Sequence, residues 1–288
     1  MRLKAEGSMV KLCLFDGQRL GAVLNEEVAD LEQFVGRKLP NNILKMRELI
    51  SRYEELKGDI VEGVAKGKRA LRSSVKLSAP IPEPSKILCA FANYKLHAQE
   101  MGGTPVPPKP ELFLKAPSAV IGPGDKVVLP NVPAKVFHHE AELAVVIGKL
   151  ARNVEASQAL KHVFGYTCFI DVSARGLPDN PFCGMLRGKS FDTFAPVGPY
   201  IVTADEIPNP QDLQIKLWVN GELRQNGNTR DMVYGVPEQI EYCSSIMTLK
   251  PGDIIATGTP EGVGPIKDGD KIKMWIERIG ELEVIVSS

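Results

Sequence analysis

Glu140 and Glu142 stand two residues apart at the head of the apolar run Leu143-Ala-Val-Val-Ile147, directly after His138 and His139. The run reads as a strand. Side chains on a strand alternate faces, so residues i and i+2 point the same way. Two carboxylates side by side on one face repel each other unless a proton or a cation lies between them. A hard divalent cation such as Mg²⁺ or Mn²⁺ would remove the conflict, because these ions prefer oxygen ligands. The competing reading is an exposed strand end on which both glutamates are solvated.

Short strand signals dominate the rest of the chain. Residues 10–31 read as strands around a hairpin, with Asp16-Gly17 as the turn. Further candidates lie at 87–91, 112–114, 126–129, 142–147, 164–171, 215–219, 253–256 and 271–276, and Asn220-Gly221 is a hairpin turn. Helical patterns are fewer. Apolar residues between 41 and 60 fall near one helical stripe, and residues 156–163 and 237–247 are the others, with Pro237 suited to a first turn. Strands and helices do not alternate regularly, which argues against a doubly wound parallel sheet or a TIM barrel. The expected class is α+β: a mixed, mostly antiparallel β roll or sandwich. Ala79-Pro-Ile-Pro-Glu-Pro84 reads as a stiff linker, so a small N-terminal domain is expected over 1–78 and a working domain over 79–288.

The chain of 288 residues can bury roughly three quarters of its unfolded surface, so a sizeable core is possible. Lys plus Arg equals Asp plus Glu at 35 each, which leaves no electrostatic case for a nucleic-acid partner or an anionic membrane surface. No apolar stretch approaches the length of a membrane span, and the first nine residues lack the apolar core of a secretion signal. The five cysteines are scattered and never spaced Cys-x-x-Cys, which favours a reducing, cytoplasmic setting over a disulfide framework or structural zinc.

Several other residues are candidates for chemistry. Asp171 ends the strand Phe164-Gly-Tyr-Thr-Cys-Phe-Ile170 and could complete an oxygen set with the two glutamates, or serve only as a turn residue. His97 and Glu100 are i and i+3; on a helix they share a face, so the carboxylate could orient the imidazole. The alternative is an exposed polar helix. His138 and His139 suggest zinc, but no His-Glu-x-x-His is present. Gly188-Lys189-Ser190 lacks the upstream glycine of a phosphate loop, because Cys183 stands there. Lys189 remains a cation for an anionic substrate. In the run from Leu249 to Gly264, glycines 258, 262 and 264 allow close backbone approach to a ligand, and the hydroxyls of Thr257 and Thr259 could bind a carboxylate.

Taken in order, these pieces closely resemble the fumarylacetoacetate hydrolase family from about Ile87 to Val286. The motifs are Asn93-Tyr-x-x-His97, Phe113-x-Lys115-x-Pro117, His139-Glu-x-Glu142, Gly165-Tyr166 through Asp171, Lys189-Ser-Phe-Asp192 and Thr257-Gly-Thr-Pro-x-Gly-Val-Gly264. The resemblance implies a mixed β roll, a homodimer, and Mg²⁺ or Mn²⁺ held by Glu140, Glu142 and Asp171. It implies a water-activating dyad of His97 with Glu100, a charge-neutralising Lys189, and substrate contacts from Arg175, Gln225 and Thr259. Many members follow the aspartate with Thr-x-Arg-Asp-x-Gln; here Val172-Ser-Ala-Arg175-Gly-Leu-Pro178 keeps only the arginine. The expected activity is metal-dependent C–C hydrolysis of acylpyruvate-like or β-diketo acids. The alternative is a decarboxylase, isomerase or lyase of 2-oxo-diacids, and a non-catalytic metal-binding protein is a third reading. The segment around Pro181-Phe182-Cys183 is expected to line the variable end of the pocket.

Overall fold

Three runs are buried along their whole length: Ala141–Ile147, Val163–Ile170 and Ala195–Thr203. Strands with no exposed face belong at the centre of a sheet that is covered on both sides. The computed structural model, which describes residues 11–178 and 184–288, places them there. The first ten residues and the Pro181-Phe182-Cys183 segment lie outside the described residues.

The large sheet runs in the order Arg69–Leu71, Glu27–Asp30, Arg19–Leu24, Lys11–Phe15, Ala195–Thr203, Val163–Ile170, Ala141–Ile147, Ile254–Ala256, Ile87–Ala90 and Leu112–Lys115. Among the described strands all pairings but three are antiparallel. The sheet curls. Soon after the edge strand Leu112–Lys115, Val120–Ile121 pairs with Ala195–Pro196 on the far side of the sheet. That crossing brings Lys115 back over the sheet toward Asp171. A second sheet of five strands includes Gln214–Val219, Glu222–Asn228 and Lys271–Ile276. The first and third alternate buried and part-exposed positions, the mark of a sheet with one wet face. Asn220 and Gly221 both have positive φ, as a two-residue hairpin turn requires. A small sheet of Ser173–Arg175, Val136–His139 and Gly264–Ile266 joins the two at the candidate site. This is the expected mixed, mostly antiparallel α+β roll.

Two local expectations need correction. The helix expected over 41–60 is two helices, Lys45–Ser51 and Tyr53–Lys66. Arg52 breaks it: its backbone leaves helical geometry, and its guanidinium donates to Lys38 O at 3.0 Å and to Glu55. The helix expected over 156–163 stops early. It is α-helical only over Ala156–Ala159, passes into a 3₁₀ turn, and Val163 already opens a strand.

Residues 11–78 share the large sheet, because Lys11 and Leu12 pair with Val202 and Ile201. One core cluster mixes Leu12, Met46 and Leu49 with Cys89, Ala144 and Ile201. The boundary at residue 78 thus falls within one sheet, and we propose that the N-terminal segment folds together with the rest. Leu12 is fully buried at the joint. Leu12→Ala should cost about 2–5 kcal/mol. Both tryptophans, Trp218 and Trp275, lie in the distant five-stranded sheet. Their urea transition should shift with the variant; an unshifted transition would mean that the N-terminal strands unfold separately.

Candidate active site

The site forms where strand ends meet. Ala141 pairs with Ile170 and Glu142 with Phe169, so Glu140 and Asp171 fall side by side just beyond the pairing, where Asp171 N donates to Glu140 O at 2.8 Å. On the other flank the chain leaves Ile254–Ala256, and Thr257 bonds Leu143 O through its backbone N–H and its hydroxyl. Gly258 then turns with φ +94° and donates its N–H to Glu142 Oε2 at 2.8 Å. A Cβ there would lie 2.8 Å from Asn93 Cβ, so this turn requires glycine. Asn93 closes the arrangement by donating to Thr257 O and Tyr234 O.

Glu140, Glu142 and Asp171 are at most 4% exposed, and one oxygen from each lies within 4.8 Å of the others. Three cations answer these three acids. Lys189 Nζ donates to Glu140 at 2.8 Å and to Asp171 at 2.6 Å, above the face of Phe113. Arg175 pairs with Glu140, and Ser173 Oγ donates to the same oxygen at 3.0 Å. Lys115, fully buried, donates to Asp171 at 2.5 Å and to Val172 O. Burial works against ionisation of Glu140, but Lys189 and Arg175 outweigh it and hold its carboxyl below the usual range. Burial also opposes the charge on Lys189, yet Asp171 and Glu140 prevail and raise its pKa. Glu142 differs. Burial, then repulsion from Asp171 and Glu140, pushes it well above the usual carboxylate range. Among the described residues no cationic side chain pairs with it. A hard divalent cation fits this donor set, because it would supply the charge that Glu142 lacks.

A narrow cavity is lined by Glu140, Glu142 and His97, the last on the helix Lys95–Glu100. Its Nδ1 lies 3.2 Å from Glu100 Oε2, and the other Glu100 oxygen accepts the Gly262 N–H at 3.0 Å. The i, i+3 pair thus forms as expected and ties the helix to the 257–264 loop. Arg175, Lys189 and Thr259 line the same cavity. His138 lines a neighbouring cavity with His97, Glu100 and Arg175.

Gln225 stands elsewhere than expected. It does not line the cavity but is fully buried, with its amide saturated by protein: Ala141 N–H and His139 Nδ1 on Oε1, Thr259 Oγ1 and Pro260 O on Nε2. His139 is buried on Gln225, and burial pushes its pKa down to about 4, so it is neutral. Thr257 likewise spends its hydroxyl on the backbone. Lys115 is the residue that sequence reasoning quoted without a role; its signal was a lysine closing an apolar strand.

Residues 86–287 match the family model described as fumarylacetoacetate (FAA) hydrolase, C-terminal, and the chain belongs to that family. A maleylpyruvate hydrolase of Aquipseudomonas alcaligenes is 40% identical, over 97% of this chain and all of that one. The solved maleylpyruvate hydrolase of Sphingobium sp. SYK-6, in complex with manganese(II) ion and pyruvate, is 43% identical with a TM-score of 0.85, covering 96% of this chain and 98% of that one. An oxaloacetate tautomerase of Bacillus subtilis is 46% identical over 73% of this chain and 72% of its own.

The raised pKa of Glu142 sets its ionisation against cation binding, so apparent metal affinity should rise with pH. Calorimetric titration with Mn²⁺ in buffers of different ionisation heat should show proton release, and Glu142→Gln should abolish saturable binding. Binding without proton release would contradict the raised pKa of Glu142. Lys115→Met removes one partner of a buried pair and should destabilise the fold by about 3–5 kcal/mol in urea titrations.

Proposed function

We propose that this enzyme hydrolyses the carbon–carbon bond of acylpyruvates, of the maleylpyruvate or fumarylpyruvate kind, with a divalent cation. The observation that carries this reading is the buried trio of Glu140, Glu142 and Asp171, two of which share one cavity wall with His97, itself paired with Glu100. The substrate class is supported by the near full-length match to maleylpyruvate hydrolases, one of them solved with manganese and pyruvate.

Glu140, Glu142 and Asp171 would hold Mg²⁺ or Mn²⁺, which when bound supplies Lewis acidity toward the oxygens of a 2-oxo acid. The remaining work belongs to side chains. Glu100 accepts the proton on His97 Nδ1, so Nε2 carries the lone pair and acts as base. A water gives its proton to Nε2, and its oxygen bonds to the carbonyl carbon two positions beyond the 2-oxo group. The bond between that carbon and the methylene carbon then breaks. The electron pair stays on the three-carbon fragment as the enolate of pyruvate. His97 returns the proton to the former methylene carbon of the enolate, giving pyruvate and a second carboxylic acid with one water consumed. Lys189 and Arg175, both on the cavity wall, offset the negative charge as it develops. The Thr259 hydroxyl holds a substrate oxygen.

A second reading is tautomerisation of an oxaloacetate-like 2-oxo-diacid, favoured by the 46% identity to the Bacillus subtilis tautomerase. There His97 would carry a proton between carbon and the enol oxygen with no water consumed. Decarboxylation or isomerisation of related diacids uses the same enolate. We also propose a homodimer, which the family resemblance supports, and a cytoplasmic setting, which the free cysteines 13, 89, 168 and 243 support. No helix among the described residues is long and apolar enough to cross a membrane.

Maleylpyruvate, fumarylpyruvate, acetylpyruvate and oxaloacetate should be tested with Mg²⁺ or Mn²⁺ and again with EDTA. The expected outcome is metal-dependent release of pyruvate with the partner acid from the acylpyruvates. Enol–keto interconversion of oxaloacetate with no acylpyruvate cleavage would transfer the assignment to the second reading. His97→Ala should lower kcat by roughly 10²- to 10⁴-fold while Mn²⁺ binding persists.

A further inference from the structure

The side-chain amide of Gln225 can adopt only one orientation. Ala141 N–H can only donate, and it lies 3.0 Å from Oε1. Pro260 O can only accept, and it lies 2.9 Å from Nε2. Two backbone groups therefore decide which end of the amide is which, without appeal to any side chain. Two consequences follow. Nε2, a donor, faces Thr259 Oγ1 at 2.7 Å, so the threonine oxygen accepts and its own proton must go elsewhere. Oε1, an acceptor, faces His139 Nδ1 at 3.2 Å, so that nitrogen carries the ring proton. The opposite ring nitrogen, Nε2, is buried without a partner, as a bare lone pair in that packing would be. Thr259 is 3% exposed and lines the cavity beside Glu140, Glu142 and Arg175. Among the described residues no acceptor takes its hydroxyl proton.

We propose that Gln225 is a positioning residue that sets the polarity of the Thr259 hydroxyl, making it a donor aimed at an oxygen of the bound 2-oxo acid. This inference rests on the acylpyruvate reading. Gln225 comes from the hairpin strand Glu222–Asn228 of the second sheet, so that sheet specifies hydrogen-bond polarity at a site built mainly by the first. The same amide holds the backbone N–H between Glu140 and Glu142, and so fixes the two acids with the donor as one unit. A hydroxyl free to rotate would offer substrate a lone pair as readily as a proton, and a carboxylate or carbonyl oxygen requires the proton.

The test is a double-variant cycle read by binding and kinetics. Gln225→Glu keeps acceptors for Ala141 N–H and His139 but loses the bond to Pro260 O and presents an acceptor to Thr259, whose hydroxyl then donates inward. Thr259→Val removes the hydroxyl at nearly the same shape. Each single variant should raise KM for an acylpyruvate, and the Kd of pyruvate with Mn²⁺, by roughly 10- to 100-fold, with a smaller change in kcat. In the Thr259→Val background, Gln225→Glu should add less than about threefold. Multiplicative effects, or a Thr259→Val enzyme that binds pyruvate as tightly as wild type, would overturn the proposal. A wild-type protein that neither binds pyruvate nor cleaves any acylpyruvate would instead sink the functional reading. A measurement on unaltered, metal-free protein guards against a variant that does not fold. The ¹⁵N shifts of His139 should report a protonated Nδ1 and a bare Nε2; the reverse tautomer would mean that the amide is turned the other way, and the proposal would fall.

Discussion

Three carboxylates buried within 4.8 Å of one another are the constraint around which the rest is arranged. Taking one ion out of water costs several kcal/mol after relaxation, and like charges add to that cost. Lys115, Lys189 and Arg175 match the acids one for one, yet all three cations fall on Glu140 and Asp171. Among the described residues Glu142 is left with a single backbone N–H, and burial with its two acidic neighbours raises its pKa. The cluster is therefore neutralised unevenly among the described residues, which fits a divalent cation beside Glu142. A purely structural ion-pair network would gain nothing by leaving one acid unpaired in its centre.

The fold holds this cluster together by register. Glu140 and Glu142 share a face because they are two apart on one strand, and Asp171 joins them because antiparallel pairing places the end of one strand beside the start of the next. A slip of one residue would turn the glutamates into the opposite face, where buried apolar side chains stand. The register is tied at both flanks, by Asp171 N–H on Glu140 O and by the two bonds from Thr257 to Leu143 O. Curling of the large sheet then supplies Lys115, and the second sheet supplies Gln225. Separated parts of the chain thus contribute to one hydrogen-bonded site.

What could be read from the residues alone was whatever is encoded locally. The i, i+2 glutamates follow from strand periodicity, the His97–Glu100 pair from helical spacing, and Asp171 from its place at a strand end. The roll followed from many short strands that do not alternate with helices. The failures were tertiary. The helix break at Arg52 is held by a hydrogen bond to Lys38 O, which periodicity cannot see. A lysine such as Lys115 is by default a surface residue, and only the crossing of residues 116–121 buries it. Gln225 was expected at the substrate because the resemblance placed it near the site; its role depends on which atoms its amide meets, 84 residues from Ala141.

Hydrolysis and tautomerisation need the same enolate stabilisation and the same base, so the three acids and His97 do not by themselves choose between them. In the proposed mechanism the difference is whether His97 takes its proton from water or from substrate carbon. Glu100 has a bearing on this. One of its oxygens orients the imidazole and the other holds Gly262 N–H, so the base is locked to the loop that carries Thr259. A base fixed in this way keeps a constant distance to the cavity wall and can hold a water against a carbonyl carbon through two proton transfers in opposite directions. A tautomerase asks only for a proton to be removed and returned along one edge of the substrate, which tolerates a looser base. The tie between Glu100 and the 257–264 loop thus favours the hydrolytic reading on physical grounds, in accord with the near full-length similarity to maleylpyruvate hydrolases.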